Sequence, residues 1–296
     1  KVPVLVGALD NGHPNFGGDL TDDFPVLLGD QTQALATLLL VTGAAYELAL
    51  DFGPAYGVYH YDQAGGWKQW NTVNPSLMVS VDLNADGTDE LVAAFPGYGL
   101  YTYDPATGWQ LINTVTPEVM GAGRNGIACD YGAAYGLWLW DPTGGWQQIN
   151  TVDPHMMLAA DIDSDGQDEL IVSFTGYGLY YYDDPGVWTQ INTVVPEAMM
   201  RGGTSLICDY GAAYGLWHYE LATGWQQLNT VDPDKMITAD IDNDGEEEGI
   251  ISFAGYGLYT FEPTTGSWTQ INTVIPDAMI RQGNGIAVDY GAAYGL

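Results

Sequence analysis

The sequence predicts an all-β fold, a seven-bladed β-propeller built from four-stranded blades of about 40 residues, and three observations carry that prediction. The acidic segments Asp82-Leu-Asn-Ala-Asp-Gly87, Asp161-Ile-Asp-Ser-Asp-Gly166 and Asp240-Ile-Asp-Asn-Asp-Gly245 recur 79 residues apart. A second motif interleaves with them, beginning at Asp51, Asp130, Asp209 and Asp289 and ending in Ala-Tyr-Gly, with spacings of 79, 79 and 80. Both motifs lead into the same downstream text: six tryptophans (Trp67, Trp109, Trp146, Trp188, Trp225, Trp268), six Asn-Thr pairs (from Asn71, Asn113, Asn150, Asn192, Asn229 and Asn272), and six methionines three residues after a proline (Met78, Met120, Met157, Met199, Met236, Met279). The 79-residue period is therefore a double one.

Within one unit, Met157 to Ile162, Glu169 to Phe174, Gly178 to Tyr182 and Trp188 to Thr193 are short runs rich in Val, Ile, Tyr, Phe and Trp, bounded by Gly, Pro and Asp. They read as four strands, and no segment sustains the 3.6-residue apolar period of a helix. Taken in order, the blades fall at 34–73, 77–115, 119–152, 156–194, 198–231 and 235–274, with a partial seventh at 278–296. Residues 1–33 do not follow the repeat but contain two strand-like runs, Val2 to Ala8 and Phe24 to Leu28. Those runs are expected to complete the seventh blade, either within the chain, which closes the ring and removes exposed edges, or in a neighbouring molecule, which builds a filament.

The 38 acidic residues against 6 basic ones give a net charge of −32. Such a surface repels phosphate backbones and anionic headgroups, which excludes nucleic acid as a partner and makes cations the natural one. No apolar run reaches the roughly 18 residues of a spanning helix. The chain begins at Lys1 without an initiating Met, which suits a mature product whose export signal has been removed.

The three acidic loops carry the informative chemistry. Calcium takes six to eight hard oxygens, and carboxylates at positions 1, 3 and 5, a Gly at 6, a backbone carbonyl at 7 and a later acid wrap it with little strain. The first loop offers Asp82, Asn84, Asp86, the Thr88 carbonyl and Glu90; the second Asp161, Asp163, Asp165, the Gln167 carbonyl and Glu169; the third Asp240, Asp242, Asp244, the Glu246 carbonyl and Glu248. Acidic turns are common for steric reasons alone, but three copies that each crowd three or four acids into nine residues repel themselves without a cation. The expectation is about three Ca2+ per chain. Asn84 removes one charge from the first loop, so it should bind most weakly.

This pattern resembles the calcium-binding FG-GAP and VCBS propeller repeats of integrin α-subunit heads and secreted bacterial proteins. The resemblance rests on the three loops, with Glu at position 9 where those families more often have Asp, and on Phe174-Thr-Gly176 and Phe253-Ala-Gly255. It implies loops joining the first and second strands of a blade, an exported protein, and binding to other macromolecules. Only alternate blades keep the loop.

The loopless blades carry Arg124, Arg201 and Arg281 instead, expected to pair with nearby carboxylates. The tryptophans, with Tyr or Trp in the preceding strand, read as wedges between blades or as sugar-stacking platforms, and the methionines as core. Cys129 and Cys208 occupy the strand position of Leu50 and Val288, read as small core residues too far apart to bridge. His13, His60, His155 and His218 show no ligand spacing, and near-identical repeats do not supply the unique constellation a catalytic site needs. The resulting expectation is a secreted, noncatalytic adhesion, recognition or extracellular structural module whose partner is a protein or a glycan. A lectin, a strand-donating filament subunit and a polysaccharide lyase stand as the alternatives.

Overall fold

Short apolar runs separated by tight turns leave the chain little choice but to fold back on itself, each strand against the one before it. The computed structural model describes residues 36–41, 45–62, 64–84, 86, 88–123, 126–165, 167–183, 186–244, 247–282 and 285–291. Among these there is no helix, only strands and turns. The chain divides into two compact units, Lys1–Pro154 and His155–Leu296. The expected closing strands at Val2 to Ala8 and Phe24 to Leu28 lie outside the described residues.

In the first unit, sheet 1 comprises β1 (Ala36–Val41), β2 (Ala45–Asp51), β3 (Val58–Asp62) and β4 (Gly66–Asn71); sheet 2 comprises β5 (Leu77–Val81), β6 (Glu90–Phe95), β7 (Gly99–Asp104) and β8 (Gly108–Asn113). Sheet 3 follows with β9 (Val119–Gly123), β10 (Gly126–Asp130), β11 (Leu137–Asp141) and β12 (Gly145–Asn150). In the second unit, sheet 4 is β13 (Met156–Ala160), β14 (Glu169–Phe174), β15 (Gly178–Asp183) and β16 (Val187–Asn192), and sheet 5 is β17 (Ala198–Gly202), β18 (Ser205–Asp209), β19 (Leu216–Glu220) and β20 (Gly224–Asn229). Sheet 6 is β21 (Pro233–Ala239), β22 (Glu248–Phe253), β23 (Gly257–Glu262) and β24 (Ser267–Asn272), and β25 (Ala278–Gln282) pairs with β26 (Gly285–Asp289) as sheet 7. Every pairing is antiparallel and between chain neighbours. The first strand of sheet 4 ends at Ala160, two residues before the expected Ile162, because Asp161 already belongs to the loop.

Within each unit the first strands of successive sheets lie side by side: β1, β5 and β9 in one, β13, β17, β21 and β25 in the other. Sheets therefore stack face to face, and the second strands of sheets 2 to 6 are buried throughout. Their sequences read as continuous apolar runs because both faces are covered. Along β22, Ile250 faces the core shared with sheet 7 while Ile251 and Phe253 face the core shared with sheet 5. Complete burial of Ile250 and Ile251 contributes about 1.5–3 kcal/mol each.

The repeated Trp and Asn-Thr-Val text has a local cause. Every fourth strand carries a β-bulge, one extra residue opposite the third strand: Trp70, Ile112, Ile149, Ile191, Leu228 and Ile271. A bulge leaves a backbone group outside the ladder, and the next sheet uses it. The indole Nε1 of Trp109 donates to the Trp70 carbonyl (3.0 Å), Trp146 to Ile112 (3.0 Å) and Trp225 to Ile191 (2.7 Å). These tryptophans are thus wedges hydrogen-bonded across the sheet interface. After the bulge, the Asn side chain accepts from the amide of the Val two residues on, at 2.9–3.0 Å from Asn71 through Asn272, and turns the chain toward the next sheet.

Candidate metal centres

The three acidic loops each connect the first and second strands of a sheet, between β5 and β6, β13 and β14, and β21 and β22. Their backbones are shaped alike. The amide at position 5 donates to the carboxylate at position 1 and to the side-chain oxygen at position 3: Asp86 to Asp82 (3.2 Å) and Asn84 (2.9 Å), Asp165 to Asp161 (3.1 Å) and Asp163 (3.0 Å), Asp244 to Asp240 and Asp242 (both 3.1 Å). The amides of Thr88 and Gln167 donate back to Asp86 (2.8 Å) and Asp165 (2.9 Å). Ser164 and Asn243, at position 4, take the left-handed conformation with φ of 63° that pulls the side chains at 1, 3 and 5 to one side. Glu246 and the loop glycines at 87, 166 and 245 lie outside the described residues.

The glutamate at position 9 opens the following strand and reaches back under the loop. Glu90, Glu169 and Glu248 are buried, and one oxygen of each accepts from the amide at position 2: Leu83 (2.9 Å), Ile162 (2.8 Å) and Ile241 (2.7 Å). The other oxygen separates the loops. In the first loop the Asn84 amide donates to Glu90 Oε1 at 2.9 Å. In the third, Glu248 Oε1 is buried with no hydrogen-bond donor. Asp240, Asp242, Asp244 and Glu248 bring carboxylate oxygens within 4.8 Å of one another, as do Asp161, Asp163 and Glu169. Among the described residues Asp82, Asp86 and Glu90 form no such group. Burial, reinforced by neighbouring acids, pushes Glu169 up to about 7 and raises Glu90 and Glu248 as well.

Arg201 and Arg281 pair with carboxylates as expected, but two features escaped the sequence reading: the acids they use and a second set of carboxylates. The acids at position 8, Asp168 and Glu247, turn away from the loops to the arginines of loopless sheets: Arg201 Nη1 lies 3.7 Å from Asp168, Arg201 Nε 3.8 Å from Glu247, and Arg281 Nη1 donates to Glu247. Within the second unit this chain of charge links sheets 4 to 7. Arg124 lies outside the described residues. The only sequence signal was an acid beside the glutamate of each loop and an Arg after each loopless Met.

The second feature is a set of carboxylate groups in the loopless sheets, Glu118 with Asp130 and Asp153, and Glu197 with Asp209 and Asp232, each within 4.8 Å. Asp130 and Asp209 accept from the amides of Gly132 and Gly211 at 2.8 Å. Burial first, then the neighbouring acids, push both up to about 6. Their signal was the aspartate that opens each Ala-Tyr-Gly motif. Cys129 and Cys208 are buried free thiols, pushed up by burial and so held protonated.

No protein-family profile matches the chain, and no curated protein matches it. Solved structures do. One described as a streptogramin B lyase superposes with a TM-score of 0.51 at 9% identity, covering 86% of this chain and 94% of that one. BBS1N, in its complex with ARL6DN, gives 0.50 at 11% identity over 76% of this chain and 77% of that one. At these identities the likeness concerns fold alone. The protein is all-β with the repeated four-stranded antiparallel sheets of propeller-like proteins.

Proposed function

We propose that the protein is a calcium-stabilised, seven-bladed propeller of the FG-GAP/VCBS type, exported, and acting outside the cell as a noncatalytic recognition module. The observation that carries this reading is the third loop: a buried carboxylate oxygen of Glu248 without a donor, facing three more carboxylates. A buried anion without a partner is costly, and a divalent cation with oxygen ligands removes that cost. The donor set fits a hard cation, being oxygen throughout, with no Cys or His. Asp161, Asp163, Asp165, Glu169 and the Gln167 carbonyl would hold the second ion, and Asp240, Asp242, Asp244 and Glu248 the third. Asp82, Asn84, Asp86, Glu90 and the Thr88 carbonyl would hold the first more weakly, since Asn84 already occupies Glu90. Residues 1–33 would supply the missing strands beside β25 and β26.

A noncatalytic role is supported by repetition: acids at positions 1, 5 and 9 recur in all three loops, Asp82, Asp86 and Glu90 in the first, Asp161, Asp165 and Glu169 in the second, Asp240, Asp244 and Glu248 in the third. Titration calorimetry should find about three Ca2+ per chain, two tighter and one weaker. No heat of binding, with an unchanged melting temperature in chelator, would leave the loops as acidic turns and remove this reading.

A further inference from the structure

Each of the six four-stranded sheets carries a Tyr at the tip of the turn between its second and third strands, and Tyr56, Tyr98, Tyr135, Tyr177, Tyr214 and Tyr256 are all 56–61% exposed. A tyrosine ring left in water at the same place six times is not core. In the second unit one of them borders a cavity of about 450 Å3 between sheets 4 and 5, lined by Gln190, Asn192, Tyr210, Tyr214, Trp217 and Trp225 among others. That volume lies within the roughly 300–1,000 Å3 of small-ligand sites.

Hydrogen bonds within the protein hold the polar ends of the lining. Trp217 Nε1 donates to the Tyr214 carbonyl (2.9 Å), Trp225 Nε1 to the bulge carbonyl of Ile191 (2.7 Å), and Asn192 Nδ2 to the Tyr210 hydroxyl (2.8 Å). Gln227 Nε2 also donates to the Tyr214 carbonyl, at 2.9 Å. Gly215, at φ 72°, holds this turn against sheet 5, where a Cβ would stand 2.3 Å from the Asn229 carbonyl oxygen. Gln190 Nε2 likewise donates to the Tyr177 carbonyl (2.7 Å), so what remains for a ligand is the faces of the aromatic rings, the Tyr214 hydroxyl, and the Oε1 and second N–H of Gln190.

We infer that this groove is a binding site for a neutral sugar residue of a glycan, stacked on Tyr214 and Trp217 and hydrogen-bonded at its edge by Gln190. The chemistry selects that class. A pyranose ring presents an apolar C–H face that matches an aromatic ring and a rim of hydroxyls that matches amide and phenol groups. In a chain of net charge −32, the lining contains no Asp, Glu, Lys, Arg or His, which leaves nothing to pair with a charged ligand. The first unit repeats the frame at Tyr135, Trp138, Trp146 and Asn113, with the same hydrogen bonds at 2.8–3.0 Å. There Leu111, 50% exposed, stands where Gln190 does. The second unit's groove is therefore the stronger site.

This inference rests on the reading of the protein as a noncatalytic recognition module and gives it a ligand class. The test titrates the full chain in calcium with cellohexaose, maltohexaose, mannohexaose and chitohexaose, and with polygalacturonate as the charged comparison, following intrinsic tryptophan fluorescence and calorimetric heat. At least one should bind saturably, and Trp217→Ala and Tyr214→Ala should each weaken it about tenfold. Tyr214→Ala removes an exposed ring and keeps the inference falsifiable if Trp217→Ala fails to fold. Absence of saturable binding at millimolar concentrations, binding indifferent to Tyr214→Ala, or preference for polygalacturonate would overturn the inference. Calcium uptake is measured on the same samples. Lost sugar binding with calcium intact sinks only the sugar site, and sugar binding without calcium uptake sinks only the metal reading.

Discussion

The first and third acidic loops differ at position 3 by one side-chain amide, and the difference shows how a single residue decides whether a buried carboxylate oxygen finds a donor. Asn84 supplies a donor to the second oxygen of Glu90. Asp242 cannot, and the second oxygen of Glu248 is left buried without a donor, among carboxylates that include Glu262. The first loop is therefore partly satisfied by its own amide, whereas on the proposed reading the third needs a cation. Affinity and apo stability should run in opposite directions across the loops.

The largest test of that contrast is removal of calcium. Each ion that binds only the folded state, at about 100 times its dissociation constant, stabilises by about 2.7 kcal/mol. Chelation should thus lower the melting temperature steeply, and most of the loss should trace to the second and third loops. Glu248→Gln, which supplies its own donor, should blunt that loss. An apo protein that melts with the calcium form would break the comparison.

Next comes the charge chain that ties loop sheets to loopless ones. Glu247→Ala strips a carboxylate from between Arg201 and Arg281 and should cost about 3–5 kcal/mol. The cost should persist in chelator, since Glu247 is not among the expected metal ligands. Urea unfolding with and without calcium would show this, and an effect confined to the calcium form would make Glu247 part of the metal site.

A sharper pair exchanges the loops. Asp242→Asn should give the third loop the character of the first, raising apo stability by about 1 kcal/mol while weakening its calcium affinity. Asn84→Asp should do the reverse in the first loop. Calorimetry and chelator melts on both variants check the opposite signs; two changes in the same direction would refute the amide's role.

The smallest effect concerns pH in the loopless sheets. Asp130 and Asp209, raised from 3.8 to about 6, favour the protonated form when folded. Their contribution is fully present below about pH 3.8 and is lost as pH rises through about 6. Asp130→Asn and Asp209→Asn keep the oxygen that accepts from Gly132 and Gly211 while removing the charge. Each should raise the chelator melting temperature at neutral pH by about 2 °C and flatten its fall between pH 4 and 7. A thermal scan against pH reads both.

Much of this architecture is legible in the chain because repetition samples the same local physics several times. The apolar second strands, the Asn turns after each fourth strand and the order of carboxylates in the loops depend on residues within a few positions of one another. The bulges were not legible: Ile112 and Ile191 look like ordinary strand residues until the next sheet's Trp146 and Trp225 claim their carbonyls. Nor did spacing single out Asp168 and Glu247, since an acid beside an acid reads as one more ligand.

The sequence by itself determined the period, the strand pattern and the three acidic loops, because strand alternation and turn chemistry are set by near neighbours along the chain. Only the tertiary structure decided which carboxylate oxygen lacks a donor, which acid serves an arginine and which aromatic rings border a cavity. Those outcomes depend on distances of about 3 to 4 Å between atoms from different strands and sheets, and such distances exist only once the sheets have packed.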